Sequence, residues 1–242
     1  MDLYDLHKKP SSLKHYDVAH EKIPKYAWGL ISPIGKDFDD YLEELRAKED
    51  IWAKDPHIAY LYAKTIRKPF PKGEPVLAKS AQWAFLYTLH VTRKPFPAAE
   101  KAMLDGNVGY DYAMMFMDKR WPAGEKKWLE QYAKNESDAP DMLMINDYIH
   151  KYFPSGRWPE LERALIKARS ANRLTAYAKY VLRNPFPEAE KVIAQDPTSA
   201  FYYAQYVLNG PFPAGEKAIM ANSKLAAEYK TLVKNSKSSK KR

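Results

Sequence analysis

The chain of 242 residues contains no cysteine, which excludes disulfides, thiolate metal sites and cysteine nucleophiles. It also has no apolar run close to the roughly 18 residues that a membrane-spanning helix needs. Its first ten residues lack the apolar core of a secretory signal peptide. These absences predict a soluble protein without a membrane partner, located in the cytoplasm.

Signatures of catalysis are missing as well. The six histidines show no zinc-ligand spacing, and no P-loop, dinucleotide fingerprint or nucleophile elbow occurs. Asp37, Asp39 and Asp40 resemble the start of a calcium loop, but Leu42 stands where that loop needs glycine. We therefore expect no catalytic residue, no cofactor and no metal, and a protein that is not an enzyme.

Glycine is scarce, with 9 residues, whereas proline reaches 18 and aromatic residues 14%. Many prolines without low complexity indicate many helix starts rather than a disordered linker. The net charge is +9, and five basic residues without an acid lie in the last nine positions. They are Lys234, Lys237, Lys240, Lys241 and Arg242. The remainder has 34 basic and 30 acidic residues, so the charge of the chain resides mostly in its C-terminal segment.

A proline-aromatic-proline motif, or its variant Arg-Trp-Pro, recurs six times. Its central residues are Phe70, Phe96, Trp121, Trp158, Phe186 and Phe212. A glutamate follows three residues after the second proline, at Glu74, Glu100, Glu125, Glu162, Glu190 and Glu216. A tyrosine precedes the aromatic residue by eight to ten positions, at Tyr62, Tyr87, Tyr112, Tyr148, Tyr177 and Tyr203. An apolar residue follows each glutamate by three, at Leu77, Met103, Trp128, Leu165, Ile193 and Ile219.

These columns have local physical reasons. Proline suits the first position of a helix, where its missing N–H has no intrahelical partner. A glutamate in the first turn meets the positive end of the helix dipole. Asp55-Pro56 and Asp196-Pro197 have the form of an N-cap followed by a first-turn proline. The repeated unit is therefore predicted to be helix, tight turn, helix.

Such short helices are marginal alone and need stacked neighbours. The sequence predicts an all-α helical-hairpin solenoid of about six repeats of about 26 residues, with the aromatic and apolar columns in its core. An alternative is that some of these aromatic residues form an exposed binding stripe. The solenoid is expected to span 53–222, with an excursion at 134–141. Residues 1–52 are predicted to be an N-terminal cap with a helix over about 37–52, and 223–242 a closing helix over 223–233 followed by a disordered basic tail.

The succession of Tyr-Ala, a short apolar stretch, Pro or Arg, Phe or Trp, Pro, any residue, Ala or Gly, and Glu resembles short helical repeats in proteins of tailed bacteriophages. The resemblance covers about 57–222, and the Phe-Pro-Ala-Ala-Glu at 96–100 is typical. Arg120 and Arg157 depart from it by replacing the first proline, Leu161 by replacing Ala or Gly, and the first unit around Tyr62 is shortened. The resemblance implies a viral origin, hence a host cytoplasm, and a repeat fold, but no chemistry.

Two columns are candidates for binding. The six glutamates could form a row, but successive helices about 10 Å apart are too distant to share a metal, so helix-start electrostatics explains them. Basic residues just before the turn aromatics could instead follow a phosphate backbone, or merely interact with helix C-termini. They are Arg67, Lys68, Arg93, Lys94, Lys119, Arg120, Arg157 and Arg183.

An extended helical array without a catalytic set is typical of proteins that present a long surface to a macromolecule. We expect a host or phage protein as the partner. The alternative is a nucleic acid, RNA or DNA, bound by the basic column together with the basic residues of the C-terminal segment.

Overall fold

The computed structural model describes the backbone of residues 38–239 and the side chains of residues 40–236. Over this range the chain forms α-helices joined by short turns and contains no strand, which confirms the all-α class. The α-helices are α1 (Phe38–Arg46), α2 (Glu49–Trp52), α3 (Pro56–Ile66), α4 (Glu74–Leu77), α5 (Ala81–Tyr87), α6 (Glu100–Asp105), α7 (Gly109–Phe116), α8 (Pro122–Ala133), α9 (Met142–Tyr152), α10 (Pro159–Lys167), α11 (Ala171–Ala176), α12 (Pro187–Ile193), α13 (Pro197–Tyr203), α14 (Pro213–Ala221) and α15 (Ser223–Ser239).

The chain forms two compact units, one ending at Asp118 and the other beginning at Lys119. The described helices α1–α7 belong to the first unit and α8–α15 to the second. The irregular segment 134–141, where the sequence analysis placed an excursion, joins α8 to α9 inside the second unit.

Proline and aspartate start many of these helices, as the sequence analysis predicted. Pro122, Pro159, Pro187 and Pro213 begin α8, α10, α12 and α14. The N-cap aspartates of α3 and α13 accept the backbone N–H groups three residues ahead, at 3.0 Å for Asp55 and 2.7 Å for Asp196. Proline at the first position and a carboxylate at the N-cap both satisfy the orphaned helix start, so helices as short as these can begin sharply.

Three helices end in a wider turn that the sequence analysis did not predict. The π-helical segments Thr88–Thr92, Tyr177–Leu182 and Ala204–Leu208 continue α5, α11 and α13. A short 3₁₀ segment, Pro97–Ala99, precedes α6. π-Helical turns are rare and often occur where side chains serve a function.

The predicted core columns are buried. The exposed fraction is at most 7% for the six turn aromatics, at most 4% for the apolar residues after the glutamates, and 0% for the six tyrosines. Five of the six tyrosine rings pack near a turn aromatic that follows in the chain, as in Tyr62 with Phe70 at 4.6 Å and Tyr203 with Phe212 at 5.0 Å between ring centroids. Tyr112 packs near Phe116. These residues are therefore core and not an exposed stripe.

The hydroxyl groups of the buried tyrosines reach back to the preceding turn. The Tyr87 hydroxyl accepts the Phe70 backbone N–H at 2.9 Å and donates to Glu74 Oε1 at 2.9 Å. The same pair of bonds recurs at Tyr112, Tyr148, Tyr177 and Tyr203, with Glu100, Glu125, Glu162 and Glu190 as the acceptors. Tyr87, Tyr148, Tyr177 and Tyr203 thus each join two successive turns, one through the ring and one through the hydroxyl.

The network has a further member at each end. Tyr62 donates to Glu49 at 2.6 Å, and Trp52, three residues after Glu49, is buried. The predicted single helix over 37–52 is wrong, because the chain turns at Ala47–Lys48. It continues as a second helix, α2, with Glu49 in its first turn. At the other end, the Tyr229 hydroxyl accepts the Phe212 N–H at 2.8 Å.

The closing helix is longer than predicted. α15 runs from Ser223 to Ser239, six residues beyond the predicted end at Val233, so Lys234 and Lys237 lie on a helix rather than in a disordered tail. Tyr229 anchors this helix, and extending an anchored helix costs little because each added residue gains a hydrogen bond. Lys240, Lys241 and Arg242 lie outside the described residues.

Candidate functional site

Three of the candidate basic residues share an uncommon backbone conformation. Arg67, Arg93 and Arg183 close helical segments with φ of 54°, 53° and 52°, in the left-handed region. Asn209 takes the same place after the last π-helical segment, with φ of 48°. The three arginines are exposed, and none has a carboxylate partner among the described side chains.

Two other candidates belong to a different environment. Arg120 binds Glu125 through two hydrogen bonds of 2.9 and 2.6 Å, and Arg157 binds Glu162 through two of 2.8 and 2.7 Å. These arginines occupy the place of the first proline in the Pro-Phe-Pro turns. Each is paired with a buried glutamate, so Arg120 and Arg157 differ in their environment from Arg67, Arg93 and Arg183.

The remaining candidates are surface lysines. Lys68, Lys94 and Lys119 are exposed. Lys234 and Lys237 lie on α15, and the side chain of Lys237 lies outside the described residues. The basic candidates thus fall into three groups. The first is the arginines at helix ends without a described carboxylate partner, the second is the two arginines of the second unit that are paired with buried glutamates, and the third is the lysines on surfaces and on α15.

The first unit carries a cluster that the sequence analysis missed. Tyr60 Oη lies 2.7 Å from His90 Nδ1, and Lys64 Nζ lies 5.7 Å from the centre of the Tyr60 ring. Burial raises the pKa of Tyr60 to about 12, so its hydroxyl stays protonated beside the imidazole. Burial, followed by the charges of Lys64 and Arg93, lowers the pKa of His90. Two cations therefore converge on one imidazole.

A stack of rings lies beside this cluster. His57 and Trp83 stack at 4.0 Å with an angle of 11°, and Tyr60 stacks with Trp83 at 5.7 Å and 29°. The indole of Trp83 is thus in contact with both neighbouring rings, which leaves little of its surface for a ligand.

An aromatic patch lies on the second unit, consisting of Lys179, Tyr180, Tyr202 and Tyr206. Tyr202 and Tyr206 are 44% and 51% exposed, and their ring centroids are 5.8 Å apart. Lys179 Nζ lies 3.9 Å from the centre of the Tyr206 ring and 4.8 Å from that of Tyr180. Lys179 therefore bridges the two rings and makes the patch continuous.

An open cleft of about 400 Å³ adjoins the aromatic patch at Tyr180. Pro140, Met142, Leu143 and Ala176 also line it, and Leu143 is 54% exposed. The segment 134–141 supplies one wall of this cleft. An apolar cleft next to exposed tyrosines can receive a side chain of a partner and surround it with aromatic contacts.

Neither a metal site nor a membrane span emerges from residues 38–239. No group of three or more His, Asp or Glu side chains among them could hold a metal ion. The glutamates of the repeat are instead hydrogen-bonded to tyrosines. No helix in this range is long and apolar enough to cross a membrane.

Comparisons with models of protein families, with curated proteins and with solved structures gave no match to this chain.

Proposed function

We propose that this chain is a non-catalytic helical-repeat protein of a tailed bacteriophage that binds a host or virion protein through its surface. Its repeats are the helical hairpins, about six of about 26 residues, stacked as a solenoid. The phage origin rests on the resemblance of the turn motif. The assignment of a binding role rests on the surface of the second unit.

The recurring tyrosine contacts support the repeat arrangement within each unit. In the first unit Tyr87 and Tyr112 bind the preceding turns, and in the second unit Tyr177 and Tyr203 do the same. The same three groups meet each time: a hydroxyl, a backbone N–H and a glutamate. A contact that every hairpin makes with the turn before it is what stacked repeats require.

The aromatic patch and its cleft are the observation that carries the binding role. Tyrosine is enriched at the energetic centres of protein interfaces, because it buries a large rigid ring and offers a hydroxyl. A cleft lined by Leu143 and Met142 adds an apolar pocket to the two exposed rings of Tyr202 and Tyr206. The surface therefore fits a protein partner that inserts an apolar side chain.

The local charge agrees with a protein partner. Residues 171–212, which carry most of the patch, contain four basic and three acidic residues, a net charge of +1. A surface so close to neutral offers little counterion release to a nucleic acid, so the interaction should depend on apolar burial rather than on salt.

A photo-crosslinking amino acid at position 206, in cells that make the protein during infection, tests this proposal. A protein adduct should form at 206 but not at position 51, where the exposed Ile51 offers a control site in the first unit. The captured protein should then bind the purified chain about 30-fold more weakly after the double change Tyr202→Ser and Leu143→Ser, because centres of this kind contribute about 2 kcal/mol.

The matched control is Met220→Ser, which removes an exposed apolar side chain of the second unit outside the patch. It should leave the affinity unchanged. Equal adducts at 51 and 206, or an adduct that disappears after nuclease treatment, would show that the patch is not a protein-binding surface.

Nucleic-acid binding is the second candidate function, and a specific observation favours it. Arg67, Arg93 and Arg183 are exposed without a described carboxylate partner, unlike Arg120 and Arg157. Free cations at helix ends are suited to phosphate oxygens. This candidate differs from the first in its steep dependence on salt.

A further inference from the structure

Positive charge is concentrated in one part of the first unit. Residues 56–99 contain seven Lys and Arg residues but a single acidic residue, which gives a net charge of +6. The one acid, Glu74, accepts a hydrogen bond from the buried Tyr87, and Lys72 pairs with Asp50. The other basic residues of this stretch are Lys64, Arg67, Lys68, Lys79, Arg93 and Lys94. The net charge of the chain without its C-terminal segment is therefore small, but these two hairpins are strongly basic.

The fold brings part of this charge together. α3 packs against α5 and its π-helical continuation, and both Lys64 of α3 and Arg93 act on the His90 imidazole. Arg67 closes α3 in the same way as Arg93 closes the continuation of α5. The Tyr60 hydroxyl holds His90 at 2.7 Å and the Tyr60 ring lies under Lys64. We call Lys64, Arg67, His90 and Arg93 the basic face; all four are exposed.

The left-handed conformation of Arg67 and Arg93 has an energetic cost. A left-handed residue other than glycine costs roughly 1–2 kcal/mol, and asparagine tolerates this conformation better, as at Asn209. A cation near an exposed helix C-terminus recovers only about 0.3–1 kcal/mol. The dipole therefore offsets only part of the conformational cost at Arg67 and Arg93, as it does at Arg183 in the second unit.

The rings beside the basic face limit what can be recognised. Trp83 stacks with His57 at 4.0 Å and with Tyr60 at 5.7 Å, so it offers no open platform for a base. Recognition without ring stacking depends on the charged backbone of a ligand, which carries no sequence information.

We propose that the basic face binds the phosphate backbone of a nucleic acid and does not read its bases. This inference deepens the second candidate function and rests on it, but it places the site in the first unit and excludes the paired Arg120 and Arg157. Three charged contacts with phosphate, from Lys64, Arg67 and Arg93, predict a salt slope near −2.7, about a 40-fold loss of affinity between 50 and 200 mM salt.

Fluorescence anisotropy with a labelled 20-base-pair DNA duplex and the full-length chain tests the proposal. The variant carries Lys64→Gln, Arg67→Asn and Arg93→Asn; asparagine is chosen because it suits the left-handed conformation and should preserve the fold. We expect the slope of log K against log salt to become shallower by about 2.7, since three phosphate contacts are lost. Duplexes rich in A·T and in G·C should bind equally well.

The matched control removes the same charge from the second unit through Lys167→Gln, Lys191→Gln and Lys217→Gln, all exposed residues. Circular dichroism should show both variants folded. An equal loss in the control would mean that the chain binds nucleic acid but not specifically through the basic face, and it would overturn this placement. No binding by the wild type would overturn both the placement and the second candidate function. Displacement of the duplex by polyglutamate at equal charge concentration would show a site for acidic proteins and would also overturn the inference.

Discussion

Replacing Tyr203 by phenylalanine removes a single hydroxyl group that makes two hydrogen bonds inside the second unit. The hydroxyl accepts the Phe186 N–H at 2.7 Å and donates to Glu190 at 2.9 Å, and the side chain is completely buried. The substitution leaves the ring, and hence the packing against Phe212, unchanged. It therefore isolates the contribution of the hydroxyl group to the stacking of two hairpins.

The expected loss follows from what remains unpaired. The Phe186 N–H is buried and would lose its acceptor, which costs about 1–3 kcal/mol. Glu190 is half-buried, so water can replace the tyrosine, and this part should add less than about 1 kcal/mol. We expect a loss of about 2 kcal/mol, or about 4 to 8 °C in Tm for a chain of this length.

Two measurements check this prediction. Urea unfolding gives the change in the free energy of unfolding, and amide hydrogen exchange reports the protection of the Phe186 N–H itself. The control is Tyr206→Phe, which removes a hydroxyl from a side chain that is 51% exposed and should change stability by less than about 0.5 kcal/mol. If Tyr203→Phe were as mild as this control and the Phe186 amide stayed protected, the hydroxyl bridge would not stabilise the hairpins.

Two further predictions concern charge. Burial and neighbouring cations lower the pKa of His90, so around pH 6.5 the unfolded chain binds a proton that the folded chain does not. The free energy of unfolding should therefore fall by less than about 1 kcal/mol as the pH is lowered from 7 to 5. His90→Gln should reduce this pH dependence in urea titrations. Arg157→Gln should lower the free energy of unfolding by about 1–2 kcal/mol, because it takes two hydrogen bonds from the buried Glu162; this value is already reduced for the half-exposed guanidinium. The control Arg163→Gln, in an exposed ion pair, should lower it by less than about 0.5 kcal/mol. Equal effects of the two substitutions would contradict this account.

The sequence was sufficient to predict which residues form the core but not how they connect. Each tyrosine from Tyr87 to Tyr203 stands nine or ten residues before one turn aromatic and 16 to 27 residues after the previous one. Periodicity alone cannot decide which of the two its hydroxyl contacts. The structure shows that Tyr87 binds the earlier turn at Phe70 and packs its ring near the later one at Phe96.

The first member of the network was missed because its turn lacks the aromatic motif. Glu49 precedes Tyr62 by 13 residues, the same separation as between Glu74 and Tyr87 and between Glu190 and Tyr203. Searching for this glutamate-to-tyrosine spacing, rather than for proline, would have found it. The separation is 12, 23 and 15 residues at Tyr112, Tyr148 and Tyr177, so it is not constant along the chain, and such a search would have missed these three members.

The basic column was only partly predictable for a similar reason. Arg67 and Arg120 both precede a turn aromatic, yet they stand three and one residues before it. That difference places Arg67 at the left-handed end of a helix and Arg120 within reach of Glu125. The wide π-helical turns, which carry His90 and Tyr206, arise from packing and leave no mark in apolar periodicity.

The tyrosine network links the fold to the surface charge. At five of the six motifs the glutamate accepts a hydrogen bond from a buried tyrosine, so that carboxylate is at least partly buried while most lysines and arginines are exposed. A repeat of balanced composition thereby acquires a positive exterior. In the second unit Glu188 and Asp196 restore the balance around an aromatic patch, whereas residues 56–99 of the first unit contain no acid besides Glu74. The hydrogen bond is the same in both units, and the acids outside the network decide the surface charge. The second unit therefore has a nearly neutral, aromatic surface and the first a cationic one, which is why we propose different classes of partner for them.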